Sequence, residues 1–237
     1  MKTPLVLLPG LMCDKTVWAD QINALEGIAD VIVADYGHLN SLFAMAEATL
    51  KTAPGKFALA GHSMGGRIAM EMFRQAPGRI THLCLMDTRH HPLPAGEPGE
   101  KEKAGRYALL EIARQKGSRV MGEEWVKGMV HPDRLEDHTL IDAILDMFAR
   151  KGPDIFEAQL TALLNRPDAG MLMSQIDCPT LILCGREDAW STLDWHQAMA
   201  REIAGATLAV MDRCGHMSTM ERPAEVSAAL REWLTGI

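Results

Sequence analysis

The chain has 237 residues, enough for one large domain or for a core with an inserted lid, and ample to bury a sizeable core. Hydrophobic residues make up 47% and charged residues 23%, the balance of a soluble globular protein. The net charge of −7 argues against nucleic acid or an anionic membrane surface as the main partner.

Five cysteines, an odd number with no CxxC spacing, point to reduced thiols and a cytoplasmic protein rather than a disulfide framework. Met1-Lys2-Thr3-Pro4 runs straight into an apolar segment, so no signal peptide is expected. No apolar run approaches a transmembrane length.

In chain order, Leu5-Val6-Leu7-Leu8 reads as the first strand, ended by Pro9-Gly10-Leu11-Met12. A helix is expected from Thr16 to Leu25, a strand over Val31–Asp35 and a helix from Leu42 to Leu50. Phe57-Ala58-Leu59-Ala60 is a short buried strand. Residues 67–74 follow as a helix, with Ile68, Ala69, Met72 and Phe73 at helical spacing. Further strands are expected at Leu83–Asp87, Thr180–Gly185 and Thr207–Asp212, and a closing helix from Pro223 to Leu234. Continuously apolar strands alternating with helices indicate an α/β protein, its mostly parallel sheet covered on both faces.

Residues 88–175 break that alternation. Pro92, Pro94, Gly96, Pro98 and Gly99 form an extended exit, and only helical patterns follow, at about 100–116, 121–130, 135–150 and 153–164. The expected organisation is a core of residues 1–87 and 176–237 with a helical cap of residues 88–175 inserted into it.

Gly61-His62-Ser63-Met64-Gly65 lies between a strand and a helix. G-x-S-x-G there is the pattern of a sharp turn that holds a serine hydroxyl proud of a sheet. Far off in sequence, Gly185-Arg186-Glu187-Asp188 and Cys214-Gly215-His216 each follow a predicted strand. The carboxyl ends of parallel strands are where ligands bind. A serine hydroxyl needs a base within reach, and His216 has the imidazole that titrates near neutrality. Asp188 would orient the ring and stabilise its protonated form. Asp87 also ends a strand and is the competing acid; the G-x-x-D turn and its place before His216 favour Asp188.

In these motifs, and in the order Ser63, Asp188, His216, nearly the whole chain resembles the α/β-hydrolase superfamily, in its small esterase, lactonase and C–C hydrolase branch. The resemblance implies an oxyanion hole made by the backbone amides of Leu11 and Met64. The family's first loop usually reads His-Gly-x, where this chain has Pro9-Gly10-Leu11. Halide displacement is disfavoured, since that branch carries an aspartate at the position of Ser63.

The implied activity is hydrolysis of carboxylic esters of small to medium apolar substrates. Lactone or enol-lactone hydrolysis is the alternative within the class, and a ligand-binding receptor on a hydrolase scaffold the alternative outside it. Met12, Trp125, Met129, Phe148, Trp190 and Met217 are the expected pocket residues. An apolar lining is expected because the motif stretches carry no charge. The adjacent His90 and His91 do not share one face and have no ligand pattern around them, so no metal or cofactor is expected. The partner is a small molecule, and the protein a monomer or homodimer.

Overall fold

Strands that are apolar along their whole length can be buried on both faces only inside a parallel sheet covered by helices. That arrangement is found in the computed structural model, which describes residues 2–236. Among the described residues, six strands run parallel in the order β2-β1-β3-β4-β5-β6. They are β1 (Thr3–Leu8), β2 (Ala29–Val33), β3 (Phe57–His62), β4 (Ile80–Met86), β5 (Thr180–Gly185) and β6 (Thr207–Met211). Every residue of the central strands β3 and β5 is buried, whereas the edge strands β2 and β6 are only partly so.

Helices α1 (Ala19–Ala24), α2 (Leu42–Thr52) and α3 (Met64–Gln75) accompany the first half of the sheet, with α2 packed on α3. Between β4 and β5 the chain forms α4 (Glu97–Lys116), α5 (Ser118–Trp125), α6 (His138–Leu164) and the short α7 (Gly170–Met173). Helix α6 bends at Gly152 (φ 71°, ψ 167°), immediately before Pro153, because proline cannot supply the next backbone donor. The chain closes with α8 (Leu193–Glu202), α9 (Ser218–Glu221) and α10 (Pro223–Thr235), the last packed on α1. No helix of the described residues is long and apolar enough to cross a membrane.

Several sequence expectations shift. β2 begins two residues before the expected Val31 and ends two before Asp35, since an edge strand is not marked by continuous burial. The helix expected from Thr16 is a 3-10 turn at Lys15–Trp18, capped by the Asp14 carboxylate, and then α1. In place of a helix over 121–130, α5 starts at Ser118 and gives way to a 3-10 turn at Val126–Gly128. Helix α8 was not anticipated.

The strand order reverses between β1 and β3, and ligands of open α/β sheets bind at such a reversal, beyond the carboxyl ends of the strands. Leu8 pairs with Gly61, so the loop after β1 and the turn after β3 emerge side by side. Close backbone contact there requires glycine. A Cβ on Gly61 would lie 2.3 Å from the Gly65 carbonyl oxygen, and one on Gly65 would lie 2.0 Å from the Leu8 carbonyl oxygen. Both obstacles are backbone and cannot swing aside. Gly65→Ala should therefore destabilise the protein by about 2 kcal/mol or more. Gly78→Ala, where nothing lies within 4 Å, should stay within about 0.5 kcal/mol of wild type. Urea denaturation measures both, and equal losses would contradict the crowding at the turn.

Candidate active site

The turn after β3 holds Ser63 at φ 55° and ψ −116°, a conformation that L residues rarely adopt. Neighbouring groups fix it there. The Ser63 N–H donates to the Met86 carbonyl at 2.8 Å, and its own carbonyl accepts from Thr88 Oγ1 at 2.9 Å. Thr88 is held in turn by His196, whose Nε2 accepts from the Thr88 N–H at 3.0 Å. Strain of this kind persists only where the surroundings over-determine it, and it clusters at functional sites.

Met64 is the first residue of α3, so its N–H has no intrahelical partner. Neither that amide nor the amide of Leu11 has a hydrogen-bond partner among the described residues. The loop carrying Leu11 is anchored from α6: Gln159 Oε1 accepts from the Met12 N–H at 2.8 Å. Two free donors beside a serine hydroxyl are the arrangement that stabilises a developing oxyanion.

Ser63 Oγ lies 2.8 Å from His216 Nε2, and His216 Nδ1 lies 2.7 Å from Asp188 Oδ2. The other Asp188 oxygen accepts from the N–H groups of Trp190 (2.8 Å) and Ser191 (2.9 Å). Burial opposes the charged form of both partners. It is outweighed in each: the Asp188 carboxylate raises His216 above the ordinary imidazole value of 6.5, and His216 with the two amides lowers Asp188.

The loop carrying His216 is tied down from several sides. Glu221 accepts from the N–H groups of Gly215 (3.0 Å), Met217 (3.1 Å) and His131 (2.7 Å). The His216 N–H donates to the Met129 carbonyl at 2.7 Å. His62 Nε2 lies 2.8 Å from the His216 carbonyl and donates to it. Burial and the neighbouring His216 lower His62 to about 4, so it acts here as a neutral donor.

Asp87 lies behind the imidazole loop. Its carboxyl accepts from the Gly185 N–H at 3.0 Å and from Ser218 Oγ at 2.5 Å, and makes no contact with the His216 ring nitrogens. Burial, reinforced by the charge on Asp188, raises it to about 8. The two strand-end aspartates are thus shifted in opposite directions. Cys13 and Cys214 are buried thiols; burial raises Cys13 to about 12 and Cys214 further, so neither offers a thiolate.

A cavity of about 610 Å³ opens on Ser63 and His216. Of the expected pocket residues, Trp125, Met129, Trp190 and Met217 line it, with Trp190 stacked on Trp125 at 5.6 Å and set 4.9 Å from the His216 ring. Met12 and Phe148 do not. Met12, in the loop after β1, is fully buried, and Phe148 packs against Trp125, with ring centroids 5.2 Å apart. The expected absence of charge is also corrected: Arg67, Arg89, Arg106, Arg166 and Glu102 are part of the lining. Sequence reasoning missed these, and it missed the anchoring residues Gln159, His196 and Glu221. The one available signal was Arg67, a lone cation in the first turns of an otherwise buried helix.

A profile of the Alpha/beta hydrolase family matches residues 5–229. The chain belongs to the α/β-hydrolase family. A thermophilic esterase from Thermogutta terrifontis, solved with malate bound, is 30% identical and superposes with a TM-score of 0.89, covering 100% of this hydrolase and 90% of that chain. The pimeloyl-[acyl-carrier protein] methyl ester esterase of Nitrosomonas europaea is 24% identical over 231 residues, 92% of this chain and 90% of the relative. The enol-lactonase of Burkholderia xenovorans LB400 shares the fold, with 20% identity, a TM-score of 0.86, and coverage of 99% of this chain and 92% of that one.

The electrostatics set the pH dependence of this hydrolase. Because Asp188 raises His216, the acid limb of kcat/KM should lie above 6.5. Asp188→Asn removes the anion, so the limb should move to lower pH while kcat falls by roughly a thousandfold or more. Burial favours the neutral form of Asp87, which Asp87→Asn mimics, so that variant should cost less than about tenfold. pH–rate profiles of the two variants check this, and reversed effects would make Asp87 the orienting acid.

Proposed function

We propose that the protein is a serine hydrolase that cleaves carboxylic esters of small molecules through an acyl-enzyme on Ser63. The observation that carries this reading is the unbroken hydrogen-bond chain from Ser63 Oγ through His216 to Asp188, opening on the cavity. Esterases are among the relatives of the chain, and the chemistry follows from the geometry.

As Ser63 Oγ attacks the ester carbonyl, its proton passes to His216 Nε2. Asp188 holds the ring in the tautomer that can accept it and stabilises the imidazolium. The tetrahedral oxyanion faces the amides of Leu11 and Met64. Collapse expels the alkoxide, which takes the proton from His216, and Ser63 is left acylated. Water then gives a proton to His216 and attacks the acyl carbon; release of the acid returns that proton to Ser63. The same steps open a lactone, whose leaving alkoxide stays tethered to the acyl group.

We read residues 88–175 as a cap over the core formed by 1–87 and 176–237. Support comes from the cavity wall, to which Leu109, Trp125, Met129 and Leu163 contribute from that segment. These side chains suit the hydrocarbon part of a substrate. The free state of all five cysteines fits a reducing compartment and hence the cytoplasm.

Ser63→Ala should keep the fold and lose ester turnover by roughly a thousandfold or more. A fluorophosphonate probe should label the wild type once, at Ser63. Labelling at another residue, or full activity in the alanine variant, would rule the proposal out.

A further inference from the structure

One wall of the cavity is strongly basic. Arg67 reaches it from α3, Arg89 from the loop after β4, Arg106 from α4 and Arg166 from the chain after α6. Lys101 of α4 adds a fifth cation to the lining, whose carboxyls are Asp87, held by Gly185 and Ser218, and Glu102 of α4, already bonded to Arg89 (3.1 Å), Arg106 (3.0 Å) and Arg166 (2.9 Å).

Arg67 is left over. Only 7% of it is exposed, Nη2 is sealed from water without a partner, and no side-chain hydrogen bond or ion pair reaches the residue among the described residues. Burial, then repulsion from Arg166 and Arg89, pushes its guanidinium well below the ordinary value. Arginine keeps its proton in proteins, so an uncompensated buried cation is not relieved by deprotonation. What relieves it is an anion entering the cavity, and the planar fork of a guanidinium can bind the two oxygens of a carboxylate at once.

The distance to the chemistry is short. Arg67 stands one helical turn beyond Ser63 on the helix that begins at the elbow, about 6 Å along its axis. Leu109, Leu163 and Trp125 share the same cavity and would border the methylene chain between the two ends of a substrate.

We propose that this wall is a carboxylate subsite, and that the substrates are half-esters of dicarboxylic acids, with the free carboxylate on Arg67 and its neighbours and the ester carbonyl at Ser63. The proposal rests on the hydrolase reading given above.

The test compares kcat/KM for monomethyl half-esters of straight-chain dicarboxylic acids, from succinate to suberate, with their dimethyl diesters at neutral pH and moderate salt. At the best chain length the wild type should prefer the half-ester by about tenfold or more. In Arg67→Met the ratio should fall to about one, mainly through KM for the half-ester. Arg89→Gln, at a more exposed position, should lower it less and guards against misfolding of the first variant. In parallel, titration calorimetry on Ser63→Ala reads binding of free adipate, which should weaken about tenfold or more when Arg67→Met is added. Diesters hydrolysed as well as half-esters in a Ser63-dependent way, with no Arg67-dependent adipate binding, would overturn the subsite and leave the esterase standing. A half-ester preference that survives Arg67→Met would also overturn it. Arg67-dependent adipate binding without Ser63-dependent turnover of any ester would support the subsite and remove the hydrolase reading.

Discussion

The contact on which the rest of the site depends is the approach of three backbones where β1, β3 and α3 meet. Gly61 and Gly65 allow it, because at both positions a single methyl group would collide with main chain. The consequence is a serine forced into φ 55°, with its hydroxyl at the start of a helix and its neighbouring amide free. The same contact brings the loop after β1 alongside, so that the Leu11 amide joins the Met64 amide. Parallel register alone achieves this: Leu8 opposite Gly61 fixes which loop faces which.

Around that fixed point the protein shifts two buried aspartates in opposite directions by environment. Asp188, bound by an imidazole and two amides, is lowered; Asp87, deeper and beside another carboxylate, is raised. His216 is tied to the helical segment between β4 and β5 through the Met129 carbonyl, and the Leu11 loop is tied to it through Gln159. The segment that supplies part of the cavity wall therefore also holds the loops that flank Ser63. Displacement of either tie would loosen the serine's partners as well as the binding wall.

Much of this was legible in the sequence, for physical reasons that also mark the limits. Buried strands of a parallel sheet are unbroken apolar runs, so β1, β3, β4 and β5 stand out, while β2, half-exposed at an edge, slid by two residues. The elbow announces itself because only glycine fits on either side of Ser63. Helix α8 escaped because one of its buried positions is His196, a polar residue that blurs the apolar stripe yet anchors Thr88. Met12 and Phe148 were assigned to the pocket by type, but packing alone decides which face of a loop or helix opens on a cavity. The lining arginines were missed altogether, because long cations usually reach water and a linear pattern does not show which of them, like Arg67 on its buried helix, is held against a cavity.

The central claim is that the strained Ser63 forms a covalent acyl-enzyme, and rapid-quench mass spectrometry tests it most directly. Wild-type protein is mixed with a slowly hydrolysed aryl ester, quenched in acid within the first turnover, and digested. The account predicts one peptide heavier by the acyl group, the one containing Ser63, with the adduct decaying at the rate of steady-state turnover. Turnover of the ester with no adduct, or with the acyl group on another residue, would contradict it.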